Sequence, residues 1–124
     1  MEKRILIVDD DENFRDFVLR AFSKEGWILD TAGTVDEAIA SARQQRPDLI
    51  LLDIGLPRLD GYDLCDMLIA DGIPILFVSG RPYREERLRA EYSGAIGYLQ
   101  KPLKPDELRQ AVRTALKQTQ ARKT

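Results

Sequence analysis

The sequence predicts one α/β domain in which five β-strands alternate with five α-helices, (βα)5, about a parallel sheet. Three observations predict it. Five short apolar runs recur along the 124 residues, at Arg4 to Val8, Trp27 to Thr31, Asp48 to Leu52, Pro74 to Val78 and Ala95 to Leu99. Three of them hold unbroken blocks, Ile5-Leu6-Ile7-Val8, Leu49-Ile50-Leu51-Leu52 and Ile75-Leu76-Phe77-Val78, the mark of strands covered on both faces. Between the runs the apolar period becomes helical, and strands alternating with helices give a sheet layered on both sides.

Each element has its own signal. After the first run, Phe14, Phe17, Val18, Ala21 and Phe22 fall on one helical stripe. After the second, Val35, Ala38, Ile39 and Ala42 do the same, with Thr34 as N-cap and Glu37 three residues on, a capping box. After the third, Tyr62 to Ala70 is apolar enough for a helix, ended by Gly72 and Pro74. Tyr83 to Tyr92 is crowded with Arg and Glu around Leu88 and Ala90, and is expected as a marginal, exposed helix. The last helix carries Leu108, Ala111, Val112, Ala115 and Leu116, with Pro105, Asp106 and Glu107 suited to its N-terminus. There is no repeat, low-complexity segment or internal linker. The domain is placed at residues 1–120, and the end of the chain, from Gln118 and above all 121–124, is expected as a polar, frayed tail.

Composition excludes several classes. The 19 basic and 21 acidic residues give a net charge of −2, which argues against a general nucleic-acid-binding surface. No apolar run approaches the roughly 18–20 residues of a membrane span. The charged start Glu2-Lys3-Arg4 is unlike a signal peptide. One cysteine, Cys65, allows no internal disulfide and suits a reducing compartment, so a cytoplasmic location is expected. The chain has no histidine, which removes Ser-His-Asp triads, His-ligated zinc and any phosphohistidine of its own.

In an open α/β sheet, ligands bind beyond the carboxyl ends of the strands. There the sequence places Asp9, Asp10 and Asp11 after the first strand, Asp53 after the third, Ser79 after the fourth and Lys101 after the fifth. Each has a plain structural role open to it: a helix cap for Asp10 or Asp11, an Asx-turn for Asp53, a turn for Ser79-Gly80, a solvated charge for Lys101. Together they point elsewhere, because clustered carboxylates repel unless a cation sits among them. With no histidine and one thiol, that cation is expected to be Mg2+, which takes oxygen ligands and is held by one or two carboxylates plus a phosphate. A carboxylate beside Mg2+ and a lysine can act as a nucleophile toward phosphorus. Mg2+, Lys101 and the Ser79 hydroxyl would then share the charge on the transferring group.

The motifs Ile5-Leu6-Ile7-Val8-Asp9-Asp10-Asp11-Glu12, Leu49-Ile50-Leu51-Leu52-Asp53-Ile54-Gly55-Leu56-Pro57, Leu59-Asp60-Gly61, Val78-Ser79-Gly80 and Gly94-Ala95 through Tyr98-Leu99-Gln100-Lys101-Pro102 occur in order. At these spacings the chain resembles, over nearly its whole length, the receiver domain of two-component response regulators. The resemblance implies a flavodoxin-like doubly wound sheet of strand order 2-1-3-4-5. It implies Asp53 as phosphoacceptor, Ser79 as switch hydroxyl, Tyr98 as switch aromatic and Lys101 as the phosphate-binding lysine. Asp10 and Asp53 would ligate Mg2+ directly with the Gly55 carbonyl, Asp9 mainly through water, and Lys101-Pro102 would be a cis bond. Phosphorylation would draw in Ser79 and turn Tyr98 inward.

The partners implied are a sensor histidine kinase or phosphotransfer protein and a downstream effector or output domain. The effector would be met through the face of helix 4, strand 5 and helix 5. A monomer, or a weak phosphorylation-dependent dimer, is expected, with no direct nucleic-acid or membrane contact. Three departures stand out. Gly80 replaces a usual alanine, Arg81-Pro82 opens the fourth helix, and Ile96-Gly97 stand where the winged-helix transcription-factor subgroup has acids. A switch rather than an enzyme is expected. The alternatives are a Mg2+-dependent haloacid-dehalogenase-type phosphatase with Asp9 as nucleophile, and a receiver fragment of a larger transcriptional regulator or hybrid kinase.

Overall fold

A computed structural model describes residues 2–57 and 60–123, with side chains described as far as residue 119; Leu59 of the Leu59-Asp60-Gly61 motif lies outside the described residues. The elements alternate as expected: β1 (Arg4–Val8), α1 (Glu12–Ala21), β2 (Ile28–Ala32), α2 (Val35–Gln44), β3 (Leu49–Leu52), α3 (Gly61–Ala70), β4 (Ile75–Ser79), α4 (Tyr83–Tyr92), β5 (Gly97–Gln100) and α5 (Pro105–Lys123). The five strands are parallel, in the order β2-β1-β3-β4-β5.

The unbroken apolar runs are explained by two separate core layers, because successive side chains leave a strand on opposite faces. Ile5, Ile7, Leu49, Leu51, Leu76 and Val78 point to α1 and α5, where Val18, Phe22, Leu108 and Val112 meet them. Leu6, Val8, Ile50, Leu52, Ile75 and Phe77 point to the other side, against Ala38, Leu64, Cys65, Leu68 and Ala90 of α2, α3 and α4.

Helix starts follow the caps. The side chains of Asp11, Thr34 and Asp60 accept from Asn13 N–H, Glu37 N–H and Tyr62 N–H respectively. The second bond of the α2 capping box differs from expectation: the Glu37 carboxylate accepts from Gly33 N–H at 2.9 Å rather than from the N-cap residue. The helix α4 is marginal as expected, with Pro82 at its cap, no side-chain capping bond and Ala90 as its buried residue. It is tied down from outside, where Tyr83 N–H donates to the Gln100 side chain at 2.8 Å. The helix α5 continues to Lys123, beyond the point where fraying was expected. Lys, Gln, Ala and Arg in that stretch are all good helix formers, so propensity favours prolonging the helix.

Candidate functional site

Three backbone bonds align the acids and the lysine along one edge. Asp9 N–H donates to Ala32 O at 3.0 Å, Asp53 N–H to Val8 O at 3.0 Å and Lys101 N–H to Ser79 O at 2.8 Å. Each extends a strand ladder by one step past its last residue. The side chains of Asp9, Asp53 and Lys101 therefore arrive together beyond β1, β3 and β5. The Lys101-Pro102 bond that follows is cis, as the resemblance implied.

The three neighbouring acids after β1 divide their work. Asp11 turns away to cap α1 and donates its own N–H to Asp9 Oδ1 at 2.9 Å. Asp9, Asp10 and Asp53 converge, each offering an oxygen within 4.8 Å of the others. Asp9 is 1% exposed and Asp10 faces solvent. The Lys101 ammonium bridges the cluster, 2.6 Å from Asp9 Oδ2 and 3.5 Å from Asp53 Oδ2. Burial pushes the Asp9 carboxyl above its ordinary pKa of 3.8, although Lys101 and the Asp11 N–H both oppose the shift. The donor set is all hard oxygen with an open side at Asp10, which fits a divalent ion such as Mg2+ and suits no softer metal.

Asp9 and Asp53 differ in what their oxygens already hold. Both Asp9 oxygens are engaged, one by Asp11 N–H and one by Lys101. Asp53 Oδ1 accepts from Gly55 N–H at 3.0 Å, while Oδ2 has only the longer Lys101 contact, and the side chain is 13% exposed. Gly55 thus sits directly beside the Asp53 carboxylate. Gly61, the first residue of α3, packs so closely that a Cβ there would lie 2.4 Å from Ile54 Cα and 2.9 Å from the Asp53 carbonyl.

Ser79, the last residue of β4, is buried, and its Oγ accepts from Arg81 N–H at 3.2 Å. Tyr98 stands apart from the acids. Its hydroxyl donates to the Arg81 carbonyl at 2.6 Å, and its ring lies between Phe77 and Tyr83, with centroids 6.2 and 5.3 Å away. Tyr98 is half-buried, with Arg81 supplying an acceptor and two rings supplying packing. Burial raises its phenol pKa above 10.0.

Other side chains around the site make contacts that the sequence did not show. Arg15 reaches back from α1 to donate to the Asp9 carbonyl at 2.7 Å. Phe14, read as one more core position, places its ring 4.0 Å from the Lys101 ammonium. Arg81 sends its guanidinium to Glu86 at 3.7 Å, and the nearly buried Tyr62 hydroxyl donates to the same carboxylate at 2.9 Å. Arg89 stacks over the Tyr62 ring at 4.2 Å and pairs with Asp60 at 3.0 Å. The charges of α4 were legible as an exposed face; the pairing of one side of it with α3 needed the fold.

A buried acid–lysine cluster at the carboxyl edge of a 2-1-3-4-5 parallel sheet, beside a strand-end hydroxyl and an aromatic on the neighbouring strand, defines a signalling receiver of the two-component class. The chain belongs to the response regulator receiver domain family, whose model matches residues 5–113. It is 36% identical over 121 residues to the DNA-binding response regulator MtrA of Mycolicibacterium smegmatis, covering 97% of this chain and 53% of that protein. The chain thus spans about half the length of the curated relatives it matches. A CheY-like receiver domain protein from Methanospirillum hungatei superposes with a TM-score of 0.89 at 29% identity, over 98% of this chain and 99% of that one. The receiver domain of NtrX from Brucella abortus gives 0.84 at 36% identity, over 91% and 98%. Receiver domains of this family bind Mg2+ at an acidic pocket, and this chain gathers Asp9, Asp10 and Asp53 into an acidic cluster that could hold a metal ion. Among the described residues, no helix is long and apolar enough to cross a membrane.

Proposed function

We propose that Asp53 accepts a phosphoryl group from the phosphohistidine of a sensor histidine kinase or phosphotransfer protein, and that the resulting charge resets the surface around α4 and β5. The observation that carries this reading is the asymmetry between the two inner acids. Asp9 is buried with both oxygens occupied, whereas Asp53 keeps an oxygen accessible next to a lysine. In the transfer, the Asp53 oxygen forms a bond to phosphorus as the P–N bond breaks and its electron pair leaves with the donor imidazole. Asp10, Asp53 and the Gly55 carbonyl would hold Mg2+, with Asp9 acting mainly through water. Bound there, the ion supplies charge neutralisation at the phosphoryl oxygens. Lys101 supplies a second cation on the same side, and the Ser79 hydroxyl a donor once it leaves its turn with Arg81.

The readout runs through Arg81. Its N–H holds Ser79, its carbonyl holds Tyr98 and its guanidinium meets Glu86 of α4. Movement of Ser79 toward the phosphoryl group therefore acts on both β5 and α4. The surface changed is that of α4, β5 and α5, offered to an output domain or effector in the cytoplasm, by a monomer or a weak phosphorylation-dependent dimer. Since the relative MtrA is named as a DNA-binding response regulator and is about twice as long, a DNA-binding output domain is the effector that fits best. Intact mass after treatment with acetyl phosphate and Mg2+ tests the assignment. One phosphoryl group is expected on the wild type and on Asp9→Asn, and none on Asp53→Asn. Stoichiometric label on Asp53→Asn would refute it.

A further inference from the structure

The Lys101 ammonium is held from two sides, and only one of them is acidic. Asp9 and Asp53 take it at 2.6 and 3.5 Å, and on another side the face of Phe14 lies 4.0 Å away. Lys101 is largely buried, so water covers little of its charge. Phe14 belongs to the first turn of α1, directly after the acid pair, and its ring also borders a small apolar recess completed by Phe17, Pro102 and Leu103.

Resting on the phosphoacceptor reading of Asp53, we propose that Phe14 is a positioning residue for phosphoryl transfer, its ring seating the Lys101 ammonium beside the reacting oxygen. The negative face of an aromatic ring attracts a cation without the fixed direction of a hydrogen bond. Two carboxylates pull the ammonium unequally, and the tighter bond is to Asp9, the acid that does not react. The ring seats the ammonium from another side, 4.0 Å away, while leaving it free to follow charge as it grows outside Asp53. A leucine in the same place would fill the recess but present no such face. Phe17, Pro102 and Leu103 line the recess beside it, and among the described residues Phe14 is the ring that the Lys101 ammonium faces.

The test uses the whole chain with Phe14→Leu and a series of increasingly fluorinated phenylalanines at position 14, which weaken the ring's negative face with little change of shape. The rate of phosphorylation by acetyl phosphate at saturating Mg2+ is expected to fall stepwise with fluorination, reaching about fivefold at Phe14→Leu. The ring-current shift of the Lys101 Hε protons, present in the wild type, is expected to vanish in Phe14→Leu. In a Lys101→Ala background, Phe14→Leu should change the residual rate less than about twofold, since the two side chains act as a pair. An unchanged rate in Phe14→Leu, or an equal loss with and without Lys101, overturns the role. A wild type that shows the ring-current shift but takes up no phosphate overturns the phosphoacceptor reading, and the role falls with it.

Discussion

Alanine at position 61 sets two effects of opposite sign against each other. Gly61 opens α3, and helix propensity together with a narrower unfolded ensemble favours alanine there by up to about 1 kcal/mol. Against this stand three backbone atoms. An added Cβ would lie 2.4 Å from Ile54 Cα, 2.9 Å from the Asp53 carbonyl oxygen and 3.1 Å from Ile54 C, so the two segments must part by about 1 Å to restore ordinary contact. Overpacking of a well-filled site costs about 1–3 kcal/mol, and the upper end applies because no flexible side chain can yield. The bond from Gly61 N–H to Ile54 O, at 3.1 Å, is strained by the same movement. The net expectation for Gly61→Ala is a loss of about 2 kcal/mol, or about 8 °C in melting temperature for a chain of this size. Urea denaturation measures it directly, and acetyl phosphate labelling should slow as well, since the displaced atoms include Asp53 itself. Gly80→Ala is the control: a Cβ there meets nothing within 4 Å, and stability should hold within about 0.5 kcal/mol. A Gly61→Ala protein as stable as the wild type would refute the reasoning.

Further outcomes follow from the site. Saturating Mg2+ should stabilise the protein by about 2.7 kcal/mol at a hundredfold excess over Kd, read as a rise in melting temperature, and Asp10→Ala should lose most of that rise. Burial raises the Asp9 pKa in the folded state, so its contribution to stability is fully present below 3.8 and is lost as pH rises through the raised value. Asp9→Asn should therefore flatten the falling limb of metal-free stability against pH, measured by denaturant melts; an unaltered limb would contradict the shift. Tyr62→Phe removes the hydroxyl that donates to Glu86 at 2.9 Å and should cost about 1 kcal/mol, with the hydrogen-exchange protection of α4 falling more than that of α5. Burial pushes the Cys65 thiol up to about 11, so an aromatic disulfide reagent should label it only at the rate of unfolding.

What was legible in the sequence was what depends on neighbours along the chain. Unbroken apolar runs marked β1, β3 and β4 because both faces of each are covered, and the stripe from Phe14 to Phe22 marked α1. The two edge strands were placed less sharply. The second run was read from Trp27, which packs edge-on against Phe22 at 5.0 Å instead of opening the β2 ladder. The strand order was carried by the family resemblance, since no local pattern encodes which strand a third one joins. The acids and Lys101 could be grouped because all lie just past strand ends. Their division of labour could not: Asp11 as cap, Asp10 facing solvent and Asp9 held by lysine depend on the turn geometry between β1 and α1. Phe14 looked like any apolar helix position until β5 brought Lys101 over it. Tyr98 looked poised to move, and its settled place depends on a carbonyl 17 residues earlier in the chain.

The two core layers bear on how such a module can be changed. The side chains flanking Lys101, Phe14, Phe17 and Leu103, pack with the layer under α1 and α5. Phe77, Tyr98, Tyr62 and Ala90 pack with the layer under α2, α3 and α4. The sheet is an insulating wall between them, crossed at its carboxyl edge by the acid cluster. Substitutions on opposite sides share few neighbours, and their energetic effects should add rather than interfere. A designer could therefore repack one layer from a relative while leaving the other intact.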